Sequence, residues 1–457
     1  MAGIGFELRK LMRQDSFWGL LRAYGYAGLI SSGPWVLSIL GVMGIGIFAV
    51  NRGESLSVRQ FLVSVTYLMA ASLILTGFLQ LMFTRFIADR LFAKDEDAVL
   101  PNLFGALALT TATAGTLASG IVLTTFGGLS LTYRGLMVVG FVTLCNLWVV
   151  VVLLSGLKAY RAVLGSFAAG YGTSVVAAIA LAHRGLSGLL TGFVLGQVVL
   201  LFLLLFAVVR RYPPGERLVS FAFLDRRRSF YSLAFTGVLY NLGVWVDKFA
   251  FWANPLTSDP VVGPLRASII YDIPIFLAYL SIVPGMAVFL VRVETDFAEN
   301  YDAFYDAVRS GDSLVNIQRL KGNLSGAARQ GMGDIFKVQG VTLLVLFLMG
   351  PRLLDFIGIS PLYLQLFYVD LAGVGTQVLM LAVFNVLFYL DQRTEVLVLS
   401  GLFASSNLLL TLITQHLGPV FYGYGFALAT AITSVFGLTL ITRRLEALEC
   451  DTFMQQA

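Results

Sequence analysis

Long apolar runs recur along the whole chain, and they restrict the fold more than any other feature of the sequence. Many are about 18 residues or longer, enough to cross a hydrocarbon core of about 30 Å as a helix. Runs such as 138–154 are continuous, whereas the strands of a membrane barrel alternate apolar and polar residues. Charged residues make up 12% of the chain and hydrophobic residues 58%. The sequence therefore predicts an all-α polytopic membrane protein.

The apolar runs divide into twelve predicted transmembrane helices. They cover residues 24–50, 60–83, 101–126, 135–157, 163–182, 186–209, 231–252, 269–291, 336–357, 363–390, 395–415 and 421–441. If both termini are cytoplasmic, 24 of the 31 lysines and arginines lie on the cytoplasmic side. Basic residues concentrate on that side of membrane proteins, so we predict that both termini are cytoplasmic.

One basic loop divides the predicted helices into two groups of six. The loop reads RRYPPGERLVSFAFLDRRRSF and contains two prolines and six arginines. A six-plus-six arrangement is typical of transporters built from two repeats, although twelve unrelated helices would give the same count. The predicted parts are a cytoplasmic N-terminal segment (1–23), an N-lobe (24–209), a linker (210–230), a C-lobe (231–441) and a cytoplasmic tail (442–457).

A cytoplasmic segment, 292–335, lies between two predicted helices of the C-lobe and begins RVETDFAENYDAFYDAVRSGDS. Its aromatic residues recur at helical spacing and its carboxylates cover the other faces, which predicts an amphipathic helix. Helices that bind anionic lipid carry basic residues on the polar face, so this acidic helix favours a protein partner. The alternative is a solvated helix that packs on the bundle. The predicted docking residues are Glu294, Asp296, Phe297, Glu299, Tyr301, Phe304 and Tyr305.

We select four ionisable residues of the predicted C-lobe helices as lying at membrane depth: Asp247, Lys248, Asp272 and Asp370. Charged groups at membrane depth are costly, so they indicate a functional site or a buried ion pair. The predicted helix boundaries place all four in the outer half of the membrane. Neighbouring helical residues point about 100° apart, so we expect Lys248 to pair with Asp272 or Asp370.

An amide and an aromatic ring lie on a similar face of the same predicted helix, because Asn241 and Trp245 precede Lys248 by seven and three residues. Amide, ring and charge together suit the hydroxyls and ring faces of sugars. The predicted translocation path consists of Trp35, Asn241, Trp245, Asp247, Lys248, Tyr271, Asp272 and Asp370. The alternative is a salt bridge that only holds two helices together.

Prolines interrupt two of the predicted helices. Gly33 and Pro34 lie in the first, and Pro274 and Pro284 lie in the eighth. A proline inside a helix removes a backbone donor and clashes with the carbonyl one turn earlier. We predict that these positions are bends that change shape as a lobe moves, although many such kinks are purely structural.

No motif for catalysis or for a cofactor is present. Asp95-Glu96-Asp97 has the spacing of a sugar-transferase metal motif, but no nucleotide-binding unit surrounds it, and a solvated charge run explains it better. Walker and Gly-x-Ser-x-Gly sequences are missing. Two cysteines and two histidines provide little for a metal site. We therefore predict a protein that is not an enzyme and has no cofactor.

Several stretches of the chain resemble the PelG family, the membrane transporters of the Pel exopolysaccharide system. They are the N-terminus MAGIGFELRKLMRQDSFWGLLRAYGYAGLISSGPWVLSILG, VDKFAFW (246–252), YDIP (271–274) and RVETDFAENYDAFYDAV (292–308). The resemblance implies the multidrug/oligosaccharidyl-lipid/polysaccharide (MOP) superfamily, with twelve helices in two lobes and alternating access. It also implies export of an N-acetylgalactosamine-rich polymer across the bacterial inner membrane. The implied partners are a cytoplasmic glycosyltransferase and other inner-membrane Pel components.

These observations lead to one main hypothesis and two alternatives. The main hypothesis is a non-enzymatic transporter that passes a polysaccharide between its lobes while a separate synthase makes it. The first alternative is a cation-coupled antiporter of small drugs, in which the membrane carboxylates form the ion site. The second is a membrane scaffold that anchors the synthase through 292–335.

Overall fold

The computed structural model describes residues 25, 27–28, 37–42, 44–45, 55–157 and 159–454. Helices dominate this part of the chain, and nine stretches of it are long and apolar enough to cross a membrane. These stretches are Leu56–Phe92, Glu96–Thr125, Leu131–Gly156, Arg161–Val209, Ile269–Arg309, Leu314–Ile357, Pro361–Tyr389, Arg393–Leu417 and Pro419–Phe453. The predicted total of twelve helices and the predicted position of the termini stay predictions.

The chain divides into two compact units, one of which contains 33–268. In the order of the chain, its elements are α1 (Ser55–Phe92), α2 (Val99–Thr125), α3 (Leu131–Gly156), α4 (Tyr160–Leu181), α5 (Gly185–Val209), α6 (Tyr231–Ala253) and an antiparallel hairpin of β1 (Asp259–Val262) and β2 (Leu265–Ala267). Helix α1 packs against α3, α5 and α6, and α4 packs along α5. We call this the 33–268 unit.

The other unit contains 269–457 together with 1–32. Its elements are α7 (Ile269–Tyr279), α8 (Ile282–Val291), a π-helix (Arg292–Phe297), α9 (Ala298–Arg309), α10 (Leu314–Ile357), α11 (Leu364–Tyr389), α12 (Arg393–Leu417) and α13 (Tyr424–Met454). Helix α13 packs against α11 and α12, and α10 packs against α8, α9 and α11. We call this the 269–457 unit.

The boundary between the units falls after Ser268, whereas the predicted linker is 210–230. Helix α6 packs along α1, and the reason is visible where the two backbones cross. A Cβ on Gly237 would lie 2.2 Å from the carbonyl oxygen of Gly77, so only glycines allow this approach. Small residues at a crossing let membrane helices pack closely. The assignment of six helices to each lobe stays a prediction.

The predicted eighth span is two helices, because α7 ends at Tyr279 and α8 begins at Ile282. Pro284 lacks a backbone N–H and its ring clashes with the carbonyl four residues earlier, that of Leu280, which directly follows the last residue of α7. The side chain of Gln339, which is buried in α10, donates a hydrogen bond of 3.2 Å to the carbonyl of Ser281. Helix α10 therefore supplies a partner for a backbone group at the break.

The sequence predicts that a cytoplasmic segment ends at residue 335 and that a membrane span begins at residue 336. Helix α10 is continuous through this boundary. Its 44 residues correspond to about 66 Å at the rise of an α-helix. The hydroxyl of Ser313 accepts a hydrogen bond from the Asn316 backbone N–H at its start, and Gly358 ends it with a left-handed backbone (φ 78°). The segment 314–335 is thus the first half of a long helix.

Candidate functional site

Helix α6 carries the polar residues of the predicted path that belong to the 33–268 unit. Asn241 is buried, and its amide donates hydrogen bonds to the Leu73 carbonyl (2.9 Å) and to Oε1 of Gln80 (3.3 Å). Both partners are in α1, on the same side of α6 as the Gly77–Gly237 crossing. The amide of Asn241 therefore links two helices.

Asp247 and Lys248 form a buried ion pair with each other. Neither side chain has any exposed surface, and Nζ of Lys248 lies 3.0 and 3.2 Å from the two carboxylate oxygens of Asp247. The same amine donates to the Val244 carbonyl at 2.9 Å. The sequence also predicts Asp272 or Asp370 as a partner of Lys248, and that pairing stays a prediction. The long lysine stem folds back and reaches its neighbour and the preceding turn.

Aromatic rings surround this part of α6. The Tyr67 ring of α1 stacks on Trp252 with 4.5 Å between centroids, and Phe249 meets Trp252 edge-on at 5.1 Å. Trp245 lies 6.4 Å from Trp252. Of this cluster, only Trp245 is a predicted path residue, because the position of Tyr67 depends on the packing of α1 against α6. A spacing rule along one helix could have found Trp252, which follows Trp245 by seven residues.

The hairpin after α6 is held to the start of α1. Tyr67 donates a hydrogen bond to the Arg266 carbonyl (3.0 Å), and Arg59 forms an ion pair with Asp259 at 3.3 Å. The Arg266 guanidinium in turn donates to the hydroxyl of Ser258. These contacts close the end of α6 beside the aromatic cluster.

Three predicted residues lie on α7 in the 269–457 unit. Tyr271 is fully buried, Asp272 is half-buried in the first turn of the helix, and Pro274 is buried inside it. A carboxylate in the first turn is stabilised by the positive end of the helix dipole. Asp272 thus has a favourable position for a negative charge near the membrane surface that we predict for the start of α7.

Asp370 is fully buried in α11 of the same unit. Gly423, at the turn before α13, has a left-handed backbone (φ 84°), and a Cβ there would lie 2.8 Å from Oδ1 of Asp370. The glycine therefore satisfies two requirements, the backbone angle and the space for the carboxylate. Further along α11 the hydroxyls of Thr376 and Thr430 are 2.7 Å apart, which continues a polar contact between α11 and α13.

Three predicted residues, Gly33, Pro34 and Trp35, lie outside the described residues. Within the described ranges that begin at Ser55, no group of three or more histidine, cysteine, aspartate or glutamate side chains could hold a metal ion.

The aromatic residues of the acidic segment (residues 292–309) point into the protein. Phe297 and Phe304 are almost completely buried. Phe297 and Tyr301 contact the ring of Tyr389 at the end of α11, with centroids 5.5 and 5.7 Å apart. Tyr301 also lies 4.6 Å from the half-buried Tyr305. These predicted docking residues therefore contribute to the core of the 269–457 unit.

The carboxylates of the acidic segment face outward instead. Glu299, Asp302 and Asp306 are exposed, and Asp296 pairs with Arg292 at 2.5 Å. Arg292 also bonds Asp334 of α10 at 2.7 Å. The side chain of Glu294 is outside the described part of the structure. A partner that reaches this segment would thus meet its acidic face.

The family of the chain follows from a match to a protein-family model along almost its entire length. Residues 1–453 match the model of PelG, described as an exopolysaccharide exporter (EPS-E). The chain belongs to the PelG family. The match covers α6 with its buried ion pair, the broken helix α7–α8 and the acidic segment. No curated protein sequence matches the chain significantly.

Solved structures show the fold to which this PelG-family chain is similar. An outward-facing multidrug-resistance MATE transporter of the MOP superfamily aligns with a TM-score of 0.65 at 16% identity, covering 93% of this chain and 96% of that one. An inward-facing structure of a MATE transporter aligns at 0.64 and 14%, covering 92% and 99%. A MOP transporter from Pyrococcus furiosus, with a binding pocket described as reversed in polarity, aligns at 0.62 and 15%, covering 93% and 96%.

The family is one of exopolysaccharide exporters, and the fold is similar to that of MOP-superfamily transporters. The PelG-family chain is a multi-pass membrane protein with a polysaccharide substrate.

Proposed function

We propose that the chain exports an N-acetylgalactosamine-rich exopolysaccharide across the bacterial inner membrane, as the conduit for a polymer that a cytoplasmic synthase makes. The match to the PelG family over 1–453 carries this proposal. The similarity to inward- and outward-facing MOP transporters supports passage between two lobes that open alternately. Polymer synthesis is assigned to another chain, since the sequence contains no catalytic motif.

The proposed path includes the aromatic and charged residues of α6 and the acidic residues of the other unit. Trp245 is half-buried beside Trp252, as an aromatic ring that stacks on sugars would be. Asp247, Lys248, Asp272 and Asp370 supply charges, and Asn241 and Tyr271 supply an amide and a phenol. Trp35 is the remaining member of the proposed path.

The test of the path removes both charges of the Asp247–Lys248 ion pair, so that neither residue is left buried and charged without its partner. Asp247→Asn alone would take away the carboxylate bonded to Lys248, and breaking a buried pair costs about 3–5 kcal/mol. The double variant D247N/K248M removes both charges at similar volume. We expect it to fold and to lower secretion of amino-sugar polymer at unchanged protein levels. Normal secretion by the variant would exclude the pair from the path.

Trp245→Ala tests the aromatic part in the same secretion assay. Its matched control is Trp148→Ala in α3, where the indole donates to Ser72 inside the 33–268 unit. Secretion per folded protein should fall strongly for Trp245→Ala and stay normal for Trp148→Ala. Equal losses would show that any tryptophan truncation has this effect.

We further propose that the exposed acidic face of 292–309 docks the cytoplasmic synthase. A polar cleft beside it is lined by Arg292, Asp296, Glu299, Asn300, Asn323 and Gln330. The test reverses Glu299, Asp302 and Asp306 to lysine, because a deletion would also remove the buried Phe297 and Phe304. Loss of synthase recruitment with retained glycan binding supports a transporter with a docking site. A membrane scaffold, the alternative function, would lose all activity with recruitment and would bind no glycan.

The prolines are proposed as bends in the transport cycle. Helices α7 and α8 already meet at a break before Pro284. For the first span we propose a corresponding bend at Gly33-Pro34. Pro284→Ala should favour one continuous helix and slow export. Unchanged export rates would mean that the break has only a structural role.

The alternative of a cation-coupled drug antiporter has specific support from the similarity to multidrug MATE transporters. Cells with and without the chain separate the two functions. If secretion of amino-sugar polymer stops while the synthase still consumes nucleotide sugar in the extract, the chain is the conduit. If secretion continues and drug sensitivity changes with the ion gradient, the antiporter is correct.

A further inference from the structure

The loop between α5 and α6 combines arginines with exposed apolar side chains. We call residues 210–231, which are the loop and the first residue of α6, the arginine loop. Six arginines and two carboxylates occur in it, a strong excess of positive charge. It begins directly after Val209, the last residue of an apolar stretch long enough to cross a membrane. The chain connectivity therefore places the loop at a membrane surface.

Several apolar side chains of this loop are exposed. Leu218 is 79% exposed and Phe221 is 49% exposed. Val219, Leu224, Phe230 and Tyr231 are also exposed. Exposed large apolar groups that cluster in this way mark an interaction site, because water is an unfavourable environment for them. Just before the loop, Phe206 and Val209 on α5 are exposed as well, so the apolar surface continues along α5.

The loop is fixed on the protein at several points. Phe223 is fully buried and its ring meets Phe83 edge-on at 5.3 Å. The Ser220 backbone N–H donates to the Pro101 carbonyl at 2.9 Å. A Cβ on Gly105 would lie 2.0 Å from the Ser220 carbonyl oxygen, so α2 and the loop touch backbone to backbone. These contacts fix the backbone of the loop on the protein, so the exposed side chains have defined positions.

The arginines flank the apolar side chains. Arg210, Arg211, Arg217, Arg226 and Arg227 are all exposed. Arg226 and Arg227 form no ion pair within the described residues. Asp225 bonds Arg228 at 3.5 Å and accepts from the Arg227 backbone N–H. Most of the positive charge of the loop is therefore available to an external anion.

We propose that the arginine loop binds the membrane surface, with its apolar side chains in the interface and its arginines on the headgroups of anionic phospholipids. Charge complementarity selects this partner, because the headgroups are anionic and the loop is basic. Each basic residue near such a surface contributes about 1 kcal/mol of attraction. The apolar residues add attraction that does not depend on charge. This proposal is independent of what the transporter carries.

The test places a fluorescent reporter at residue 218 in the full-length protein. Leu218→Cys is introduced after Cys450→Ser, because Cys450 is exposed while Cys145 is buried. The labelled protein is reconstituted in vesicles of phosphatidylcholine with increasing phosphatidylglycerol. Brominated lipid quenches a label in the membrane, and iodide quenches a label in water. We expect lipid quenching that increases with phosphatidylglycerol and decreases with salt.

Two double variants separate loop chemistry from overall charge. R226Q/R227Q should weaken the phosphatidylglycerol-dependent binding of the loop, as read from the lipid quenching, about 30-fold, which corresponds to the loss of two surface charges at about 1 kcal/mol each. R319Q/R329Q removes the same charge from exposed positions of α10 and should leave the quenching unchanged. Iodide quenching in every lipid mixture, or an equal effect of both double variants, would overturn the proposal. All variants change exposed residues, so each should fold.

Discussion

The arginine loop and the acidic segment are built from the same kinds of residues, arranged in opposite ways. Both mix aromatic residues with charges of predominantly one sign. The acidic segment buries Phe297 and Phe304 and exposes carboxylates, whereas the arginine loop exposes Phe221 and Leu218 beside its guanidinium groups. The acidic segment therefore stabilises its own unit and offers charge to a partner. The loop buries Phe223 as an anchor and leaves its other large apolar groups and most of its charges for an outside surface.

The largest difference between the two regions should appear in stability. Phe304→Ala empties a fully buried site and should lower the free energy of unfolding by about 3–5 kcal/mol. Phe221→Ala truncates a half-exposed ring and should cost about 1 kcal/mol or less. Denaturant titration of both variants in the same detergent checks this. Equal losses of unfolding free energy would mean that Phe221 is covered within the protein, and the two regions would then not differ in this respect.

A second test loosens the attachment of the arginine loop. Gly105→Ala places a methyl group against the Ser220 carbonyl and should cost about 1–3 kcal/mol because the backbones must separate. Gly120→Ala in the same helix meets open space and should be neutral or stabilising by up to about 1 kcal/mol. Tryptic cleavage after Arg217 should accelerate only in the first variant. Slow cleavage in both would show that the loop is held elsewhere.

A third test compares arginines in the two regions. Arg292 bonds two carboxylates, so Arg292→Gln should lower the free energy of unfolding by about 1–2 kcal/mol. Arg226→Gln removes an exposed arginine and should change it by less than about 0.5 kcal/mol. Thermal unfolding in uncharged detergent measures both. If Arg226→Gln proves the more costly, its charge has a partner inside the protein.

The smallest expected effect concerns pH at the start of α10, just after the acidic segment. Hydrogen bonds from the Asn316 amide and the Ser313 backbone N–H lower the pKa of Asp312 from its usual 3.8. A lowered pKa means that the ionised carboxylate stabilises the folded state above pH about 4 and that this is lost as pH falls further. The protection of the 314–318 amides from hydrogen exchange, relative to the unfolded chain at the same pH, should therefore decrease below that pH.

Asp312→Asn is the control for this titration. Protection at 314–318 in the variant should vary less between about pH 4 and lower values, because the position no longer carries a charge. An unchanged pH dependence would assign the titration to another group.

Sequence alone predicted several features for reasons that act within one or two helical turns. The apolar runs fixed where helices could cross a membrane, because run length decides that. Pro284 predicted an interruption, and α7 ends at Tyr279, just before Leu280, since the clash of a proline ring reaches only four residues back. The motifs at the N-terminus and at 246–252, 271–274 and 292–308 indicated the PelG family, whose model matches residues 1–453.

Other features depended on residues that the chain brings together from far apart. The partners of Asn241 lie in α1, 168 and 161 residues earlier, and no periodicity along α6 names them. Lys248 contacts its own neighbour Asp247, because its flexible stem can turn back along the helix. The helical spacing of the aromatic residues in 292–309 is evident in the sequence. Their burial depends on contact with Tyr389 of α11, which the sequence does not reveal.

The sequence by itself determined that this protein is a helical membrane transporter of the PelG family with segregated charge. Only the tertiary structure decided which aromatic residues are buried, which charges pair, and where one compact unit ends and the other begins. Helix formation and helix breaks are governed by local backbone geometry, whereas burial and pairing depend on which surfaces meet after folding. That is why two aromatic, charged segments of one chain have opposite surfaces.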